Sequence, residues 1–300
     1  GRIGSPCMAN ESSSEPGKGL DRAVKRAEVA GRVIRQIETL PAMPATAVQL
    51  REAACDPRMD FTRIVPLIEK DPGLCADLLR FANSAAYGVG HPVETVSEAV
   101  LYFGMENLVE YILASYSNRL VRESFSRLRH LDDYFLHSEQ VSVACCLLAK
   151  SANLPRHDQE VCKVTGLLHN IGKLVLLLAS QQWGGPLMGT PWGERQAMIT
   201  AEEQLYGLSH CDVGALLCQK WLFPESLLNG IRHHHHPMPN GHLVPLAAYV
   251  YLGELLVIDD LPMRIITRDF SPTILGELNL SEDKLALSRK TLVSAKKAGL

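Results

Sequence analysis

The chain has no Cys-x-x-Cys pair, no marked excess of charge of either sign, and no clean apolar run long enough to span a bilayer. Each absence removes a class of protein. The eight cysteines, at 7, 55, 75, 145, 146, 162, 211 and 218, lack the paired spacing of a zinc ribbon or a disulfide framework. Several sit inside apolar helical patterns such as "VACCLLAK" (143–150), which predicts buried free thiols in a reducing cytosol. A net charge of −3 argues against a nucleic-acid binder and against a polybasic membrane arm. The longest apolar stretch, "LVPLAAYVYLGELLVI" (243–258), is interrupted by Pro245 and Glu254 and is too short for a span. With no signal peptide visible, the expectation is a cytoplasmic protein without membrane insertion.

What is present is a succession of amphipathic segments. The 300 residues suffice for a sizeable core, and an apolar fraction of 46% with 21% charged residues is ordinary for a globular protein. Residues 1–7 read as an expression remnant ahead of Met8, and "MANESSSEPGKGL" (8–20) is expected to be disordered. From Leu20 the pattern is helical, with Val29, Val33, Ile34 and Ile37 near one stripe, until "LPAMP" stops it. Apolar segments with 3.6-residue spacing then follow one another to the C-terminus. No stretch alternates as a half-buried strand does, so the fold class is all-α.

The second half carries the longest apolar helical pattern, "EVCKVTGLLHNIGKLVLLLAS" (160–180), which reads as one central buried helix. In "SHCDVGALLCQKWLF", Ser209 is placed to cap a helix, with Asp212 in its first turn and Pro224 beyond its end. The tail opens a last helix at Ser281.

Histidine distribution is the feature that suggests chemistry. Of eleven histidines, His137, His169, His210, His234 and His235 fall at or near helices of the second half. Helices can converge such side chains on one metal, and imidazole suits Fe, Zn, Mn or Ni. Lys173, four residues after His169, shares its helix face. His91, His130, His157 and His242 are read as ordinary core or exposed histidines, and Asp132 and Asp133 as helix-start acids. The segment "GLLHNIGKL" is not a P-loop: five residues separate Gly166 from Gly172 where four are needed, and Leu174 replaces the hydroxyl residue.

Several strings together resemble the bacterial HDOD domain (HD-related output domain). They are "LPAMPATAVQL", "IEKDPGLCADLLRFANSAAYG" and "VSEAVLYFGMENLVEYIL" in the first half. In the second half they are "HSEQVSVACCLLA", "GLLHNIGKLVL" and "YGLSHCDVGALLCQKWLFPESLLNGIRHHHHP". The resemblance covers residues 30 to 260 and implies an HD-domain-like helical bundle preceded by a smaller N-terminal helical subdomain. The corresponding division is a flexible 1–28, an N-terminal half at 29–125 and an HD-like half at 126–300. The family is similar to HD and HD-GYP metal phosphohydrolases, which cleave phosphodiesters with clustered His and Asp ligands. That likeness implies a metal pocket of His137, His169, Asn170, His210, His234 and His235, with Lys173 beside it.

The chain departs from the hydrolase pattern. Asn170 stands where the eponymous aspartate is expected, and "PMPNGH" replaces the GYP loop. Ala248 or Tyr249 falls at the place of the last aspartate, with no acid expected nearby. Two close cations need anionic bridges, so the expectation is at most one transition metal ion and no competent two-metal hydrolase. The resemblance further implies a non-catalytic signalling module acting on signalling proteins or a nucleotide-like ligand, with its input arriving from a separate protein. The rival is a mononuclear phosphohydrolase, for which Glu202 or Glu203, folded back towards His210, would supply the base. A third possibility is a metal-free scaffold whose histidines are merely hydrogen-bonded.

Overall fold

The computed structural model describes residues 16–54, 61–83, 92–126, 128, 131–183 and 195–297. Cys7, Cys55, His91, His130, the expected remnant at 1–7 and residues 8–15 of the stretch expected to be disordered lie outside them. Among the described residues there are helices and no strands.

The first half runs through α1 (Pro16–Thr39), α2 (Ala45–Ala54), α3 (Phe61–Glu69), α4 (Pro72–Ala82), α5 (Val96–Phe103) and α6 (Met105–Ser124). Local chemistry sets these boundaries. Asp71 caps α4 by accepting from the Leu74 amide at 3.0 Å, and Pro72 occupies the first turn, where its missing N–H costs nothing. Thr95 and Glu98 form a reciprocal capping box at the start of α5. Asn83 ties the end of α4 to the approach to α5, exchanging 2.8 Å hydrogen bonds with the backbone N–H and carbonyl of Val93.

The second half comprises α7 (Leu131–Ser151), α8 (Arg156–Leu168), α9 (Ile171–Trp183), α10 (Arg195–Tyr206) and α11 (His210–Lys220). It continues with α12 (Glu225–Arg232), α13 (Pro245–Leu256), α14 (Met263–Ile266), α15 (Pro272–Glu277) and α16 (Glu282–Lys297). Helix α7 is the hub and packs against α8, α13 and α16; α9 packs on α11, and α6 joins the two halves through α8. One buried apolar cluster runs from Val33 to Ile231, and a second joins α7 and α13 to the C-terminal helices.

The sequence expectations meet the structure unevenly. The all-α class holds, as do the cap at Ser209, completed by Asp212 as a capping box, and the final helix. Helix α1 begins at Pro16, so residues 16–20 are helical rather than disordered; a proline fits a first helical turn. Ile34 lies off the buried stripe of Val33 and Ile37 and is exposed. The expected single helix over 160–180 is two helices, turned at His169–Asn170. No proline or other breaker marks that turn. His169 Nδ1 donates to the Gly166 carbonyl at 2.7 Å, satisfying one of the carbonyls that the end of α8 leaves open. Gly172 then brings α9 onto α11, where a Cβ would overlap the His210 carbonyl oxygen.

The six described cysteines are free, and Cys145, Cys162, Cys211 and Cys218 are buried. One stretch, Arg156–Ser180, is long and apolar enough to cross a membrane, but 72% of that window is buried inside the fold.

Candidate metal centre

The turn between α8 and α9 places His169 and Asn170 at the centre of the second half, both buried. Around them the fold collects His137 from α7, His210 and Cys211 from the start of α11, His234 and His235 just past α12, and Glu254 from α13. Of the four consecutive histidines, 234 and 235 turn into the pocket, whereas His233 is half-buried and His236 exposed. Asp132 and Asp133 stay in the exposed first turn of α7.

Two donor groups result. The donor atoms of His210, Cys211, His234 and His235 lie within 4.8 Å of one another, and so do those of His137, His169 and Glu254. The imidazole rings touch in a chain. Centroids are 5.4 Å apart for His137–His169, 5.2 Å for His169–His234 and 5.3 Å for His210–His234.

Hydrogen bonds behind the pocket settle the tautomers. Nδ1 of His169 donates to the Gly166 carbonyl and Nδ1 of His234 to the Ile231 carbonyl, at 2.7 and 2.6 Å. Nδ1 of His210 donates to Glu202 Oε2 at 2.6 Å, and the same oxygen accepts the His210 backbone N–H at 2.8 Å. In each ring the proton is on the outer nitrogen, so Nε2 presents its lone pair to the interior. Metal-binding histidines are held in this way, by a carbonyl or carboxylate on the far nitrogen. Burial holds His210, His234 and His235 well below the usual imidazole range, neutral and ready to ligate. Burial raises the Glu202 carboxyl to about 7, against the pull of the His210 backbone N–H and the Lys173 ammonium. Lys173 lies near enough for its charge to depress the basicity of His210 and His235 as well.

Asn170 plays the part of neither a bridge nor a bystander. Its side-chain Nδ2 sits 2.6 Å from His169 Nε2. In the neutral ring that nitrogen carries a lone pair to which the amide presents N–H, and the Asn170 oxygen is left without a hydrogen bond. The amide thus occupies the lone pair that a ligating His169 would need.

One expectation is overturned. An acid does stand at the pocket: Glu254, fully buried, lies with Oε1 3.2 Å from His169 Nε2 and Oε2 3.6 Å from His235 Nδ1. It lies on α13 beyond Ala248 and Tyr249, where the acid was sought. Its signal in the sequence was a single carboxylate in an otherwise apolar helix, a position that requires a partner. Glu202 reaches His210 as the rival reading required, while Glu203 is exposed. Glu202, however, is committed to the outer nitrogen of that ring. Cys211 was missed entirely, having been counted among buried thiols.

The structure is thus a helical bundle whose facing helices bring histidines and buried acids together, the arrangement from which bundle proteins build metal sites. The chain belongs to the HDOD domain family, whose sequence profile matches residues 40–237. Its fold is similar to that of an HDOD domain protein of unknown function from Geobacter sulfurreducens. That likeness has a TM-score of 0.64 at 20% identity and covers 92% of this chain and 97% of the other. An uncharacterized protein of Treponema pallidum is 24% identical over 244 residues, 80% of this chain and 46% of its own length. The cyclic di-GMP phosphodiesterase CdgJ of Vibrio cholerae is 24% identical over 114 residues, 38% of this chain and 25% of its own length. The chain therefore spans less than half of these two curated relatives.

Proposed function

We propose that this chain is a non-catalytic, cytoplasmic signal-transduction module of HDOD type. Its histidine pocket would hold a single transition metal ion, and it would act by binding a nucleotide-like ligand or a signalling protein. The observation that carries the reading is the Asn170 amide on His169 Nε2. A two-metal phosphohydrolase needs an anionic bridge at that place, and here a neutral N–H donor takes up the histidine lone pair instead. The histidines fit one metal: His210 and His234 offer inward lone pairs with their outer nitrogens hydrogen-bonded, and His235 brings its Nε2 to 3.2 Å from that of His210. His210, His234 and His235 would hold the ion, with Glu202 orienting His210. Such an ion would supply a rigid tie between α11 and the segment after α12, and a Lewis acid towards any ligand oxygen that reached it.

A cleft of about 420 Å³ between the halves supports the ligand side of the proposal. Arg80, Arg119, Arg122 and Lys163 line it against two acids, Asp77 and Glu160, so the cleft favours an anion. Arg80 is paired with Asp77 at 3.1 Å. One terminal nitrogen of Arg119 lies 3.7 Å from Asp71 Oδ2 and its guanidinium 4.7 Å from the Tyr116 ring centroid, contacts that hold its positive charge at the cleft wall. Phe81 and Tyr111 stack at a 4.0 Å centroid separation along the same wall.

The second reading, a mononuclear phosphohydrolase, is favoured by the buried carboxylate of Glu254 beside His169 and His235. A metal-replete assay with cyclic di-GMP and an activated aryl phosphodiester separates the two. The regulatory reading expects no turnover above a metal blank. Turnover that His169→Ala abolishes would establish the enzyme.

A further inference from the structure

The geometry around His210 points to Cys211 as a metal ligand, and we infer a four-coordinate site of three imidazole nitrogens and one thiolate. The inference rests on the reading of the histidine pocket as a metal site, and it adds a soft ligand that the family resemblance did not supply.

Three distances carry it. His210 Nε2 lies 3.4 Å from His234 Nε2, 3.2 Å from His235 Nε2 and 3.6 Å from Cys211 Sγ. A tetrahedral ion with metal–nitrogen bonds of about 2.0–2.1 Å and a metal–sulfur bond of about 2.3 Å requires particular edges. They are about 3.3–3.4 Å between nitrogens and about 3.5–3.6 Å between nitrogen and sulfur. The observed spacings match those edges to within about 0.1 Å. The remaining pairs of the quartet also fall within 4.8 Å.

Hydrogen bonding alone does not account for the cluster. His210 and His234 have each committed the Nδ1 proton, one to Glu202 and one to the Ile231 carbonyl, so their facing Nε2 atoms both carry lone pairs. Two lone pairs 3.4 Å apart repel, with no hydrogen between them. The Cys211 thiol or an N–H on His235 Nε2 could give one hydrogen to His210, but either leaves the contact with His234 unrelieved. A cation at the centre satisfies all four atoms at once. Its binding forms a metal–sulfur bond, and the thiol proton passes to solvent. A donor set of this kind favours Zn, Fe(II) or Co(II) over Mg or Mn.

Cobalt(II) titration of the full chain, stripped of metal, tests the inference by absorption spectroscopy. The expected spectrum has the intense visible bands of four-coordinate cobalt together with a near-ultraviolet thiolate-to-cobalt charge-transfer band. Cys211→Ser should lose the charge-transfer band and keep visible bands; Cys75→Ser, on a distant helix, should keep both. Visible bands with no charge-transfer band, or a band that persists in Cys211→Ser, overturn Cys211 as ligand while leaving the metal pocket standing. No cobalt binding overturns both. Should Cys211→Ser fail to fold, cadmium NMR of the unmutated chain decides, because a thiolate ligand shifts the cadmium resonance strongly downfield of an all-nitrogen site. A resonance in the all-nitrogen range overturns the inference.

Discussion

Glu202 Oε2 accepts two hydrogen bonds from the same residue, one from the backbone N–H of His210 at 2.8 Å and one from its ring Nδ1 at 2.6 Å. A single oxygen thereby sets both where α11 begins and which nitrogen of the first imidazole on it faces the pocket. Outer partners of this kind contribute about 10–100-fold to metal affinity. Glu202→Ala is expected to weaken binding of a transition metal by that factor, and Glu202→Gln by less, as measured by calorimetric titration of zinc into metal-free protein. Equal affinity for all three proteins would remove Glu202 from the account.

Asn170→Asp returns a carboxylate to the turn between α8 and α9. It should release His169 Nε2 from the amide and raise metal content from about one equivalent to about two, because an anion offsets the repulsion between adjacent cations. Elemental analysis of protein purified without a chelating column reads the result. Content that stays near one equivalent would mean that more than the amide separates this pocket from a two-metal centre.

Gly172→Ala probes the approach of α9 to α11. A methyl group there would overlap the His210 carbonyl oxygen, and the Gly214 amide stands 2.6 Å from the same point. Both obstacles are backbone, so neither can swing aside. The cost is expected at or above the upper end of the about 1–3 kcal/mol typical of overpacked cores. Denaturant unfolding measures it, and a loss well under 1 kcal/mol would refute the close packing.

Asp71 carries the pH dependence. Burial acts to raise its pKa, but hydrogen bonds from the Tyr116 hydroxyl (2.7 Å) and the Leu74 amide, with the Arg119 charge, outweigh it and hold the carboxyl below its usual 3.8. A depressed folded-state pKa gives stability that is present above 3.8 and lost as pH falls through the folded value. Asp71→Asn keeps a cap acceptor but removes the charge that Tyr116 and Arg119 meet, so it should destabilise the protein at neutral pH by about 1 kcal/mol, the difference between a hydrogen bond to a charged group and one to a neutral group. The gap from the parent should narrow in acid, as followed by thermal melts between neutral pH and pH 3.

Charge reversal at the cleft tests its preference for anions. Arg119→Glu should lower affinity for a phosphate-bearing ligand at least tenfold, since a hydrogen bond to a charged group contributes about 1.5–3 kcal/mol. Binding of a fluorescent cyclic dinucleotide supplies the readout, with cobalt uptake as the control that the metal pocket is intact.

The parts of this protein that were legible in its sequence are those written locally. Apolar residues at helical spacing, the stop at "LPAMP", Ser209 at a helix start, and the absence of alternating segments determined the all-α class and several helix limits, because capping and amphipathic burial act over one or two turns. The choice of His234 and His235 within the run of four histidines came from the family resemblance rather than from local pattern. Tertiary structure decided the rest. The break at His169–Asn170 has no breaker residue and depends on α9 packing against α11 through Gly172. Glu254 read as an interruption of an apolar run, and Cys211 as one more buried thiol, until α11, α12 and α13 came together around them. A lone pair acquires its role only when folding fixes which atoms face it. For that reason the sequence could nominate the histidines, but only the packed helices could show that Asn170 takes up one of their lone pairs and that a carboxylate and a thiol stand among them.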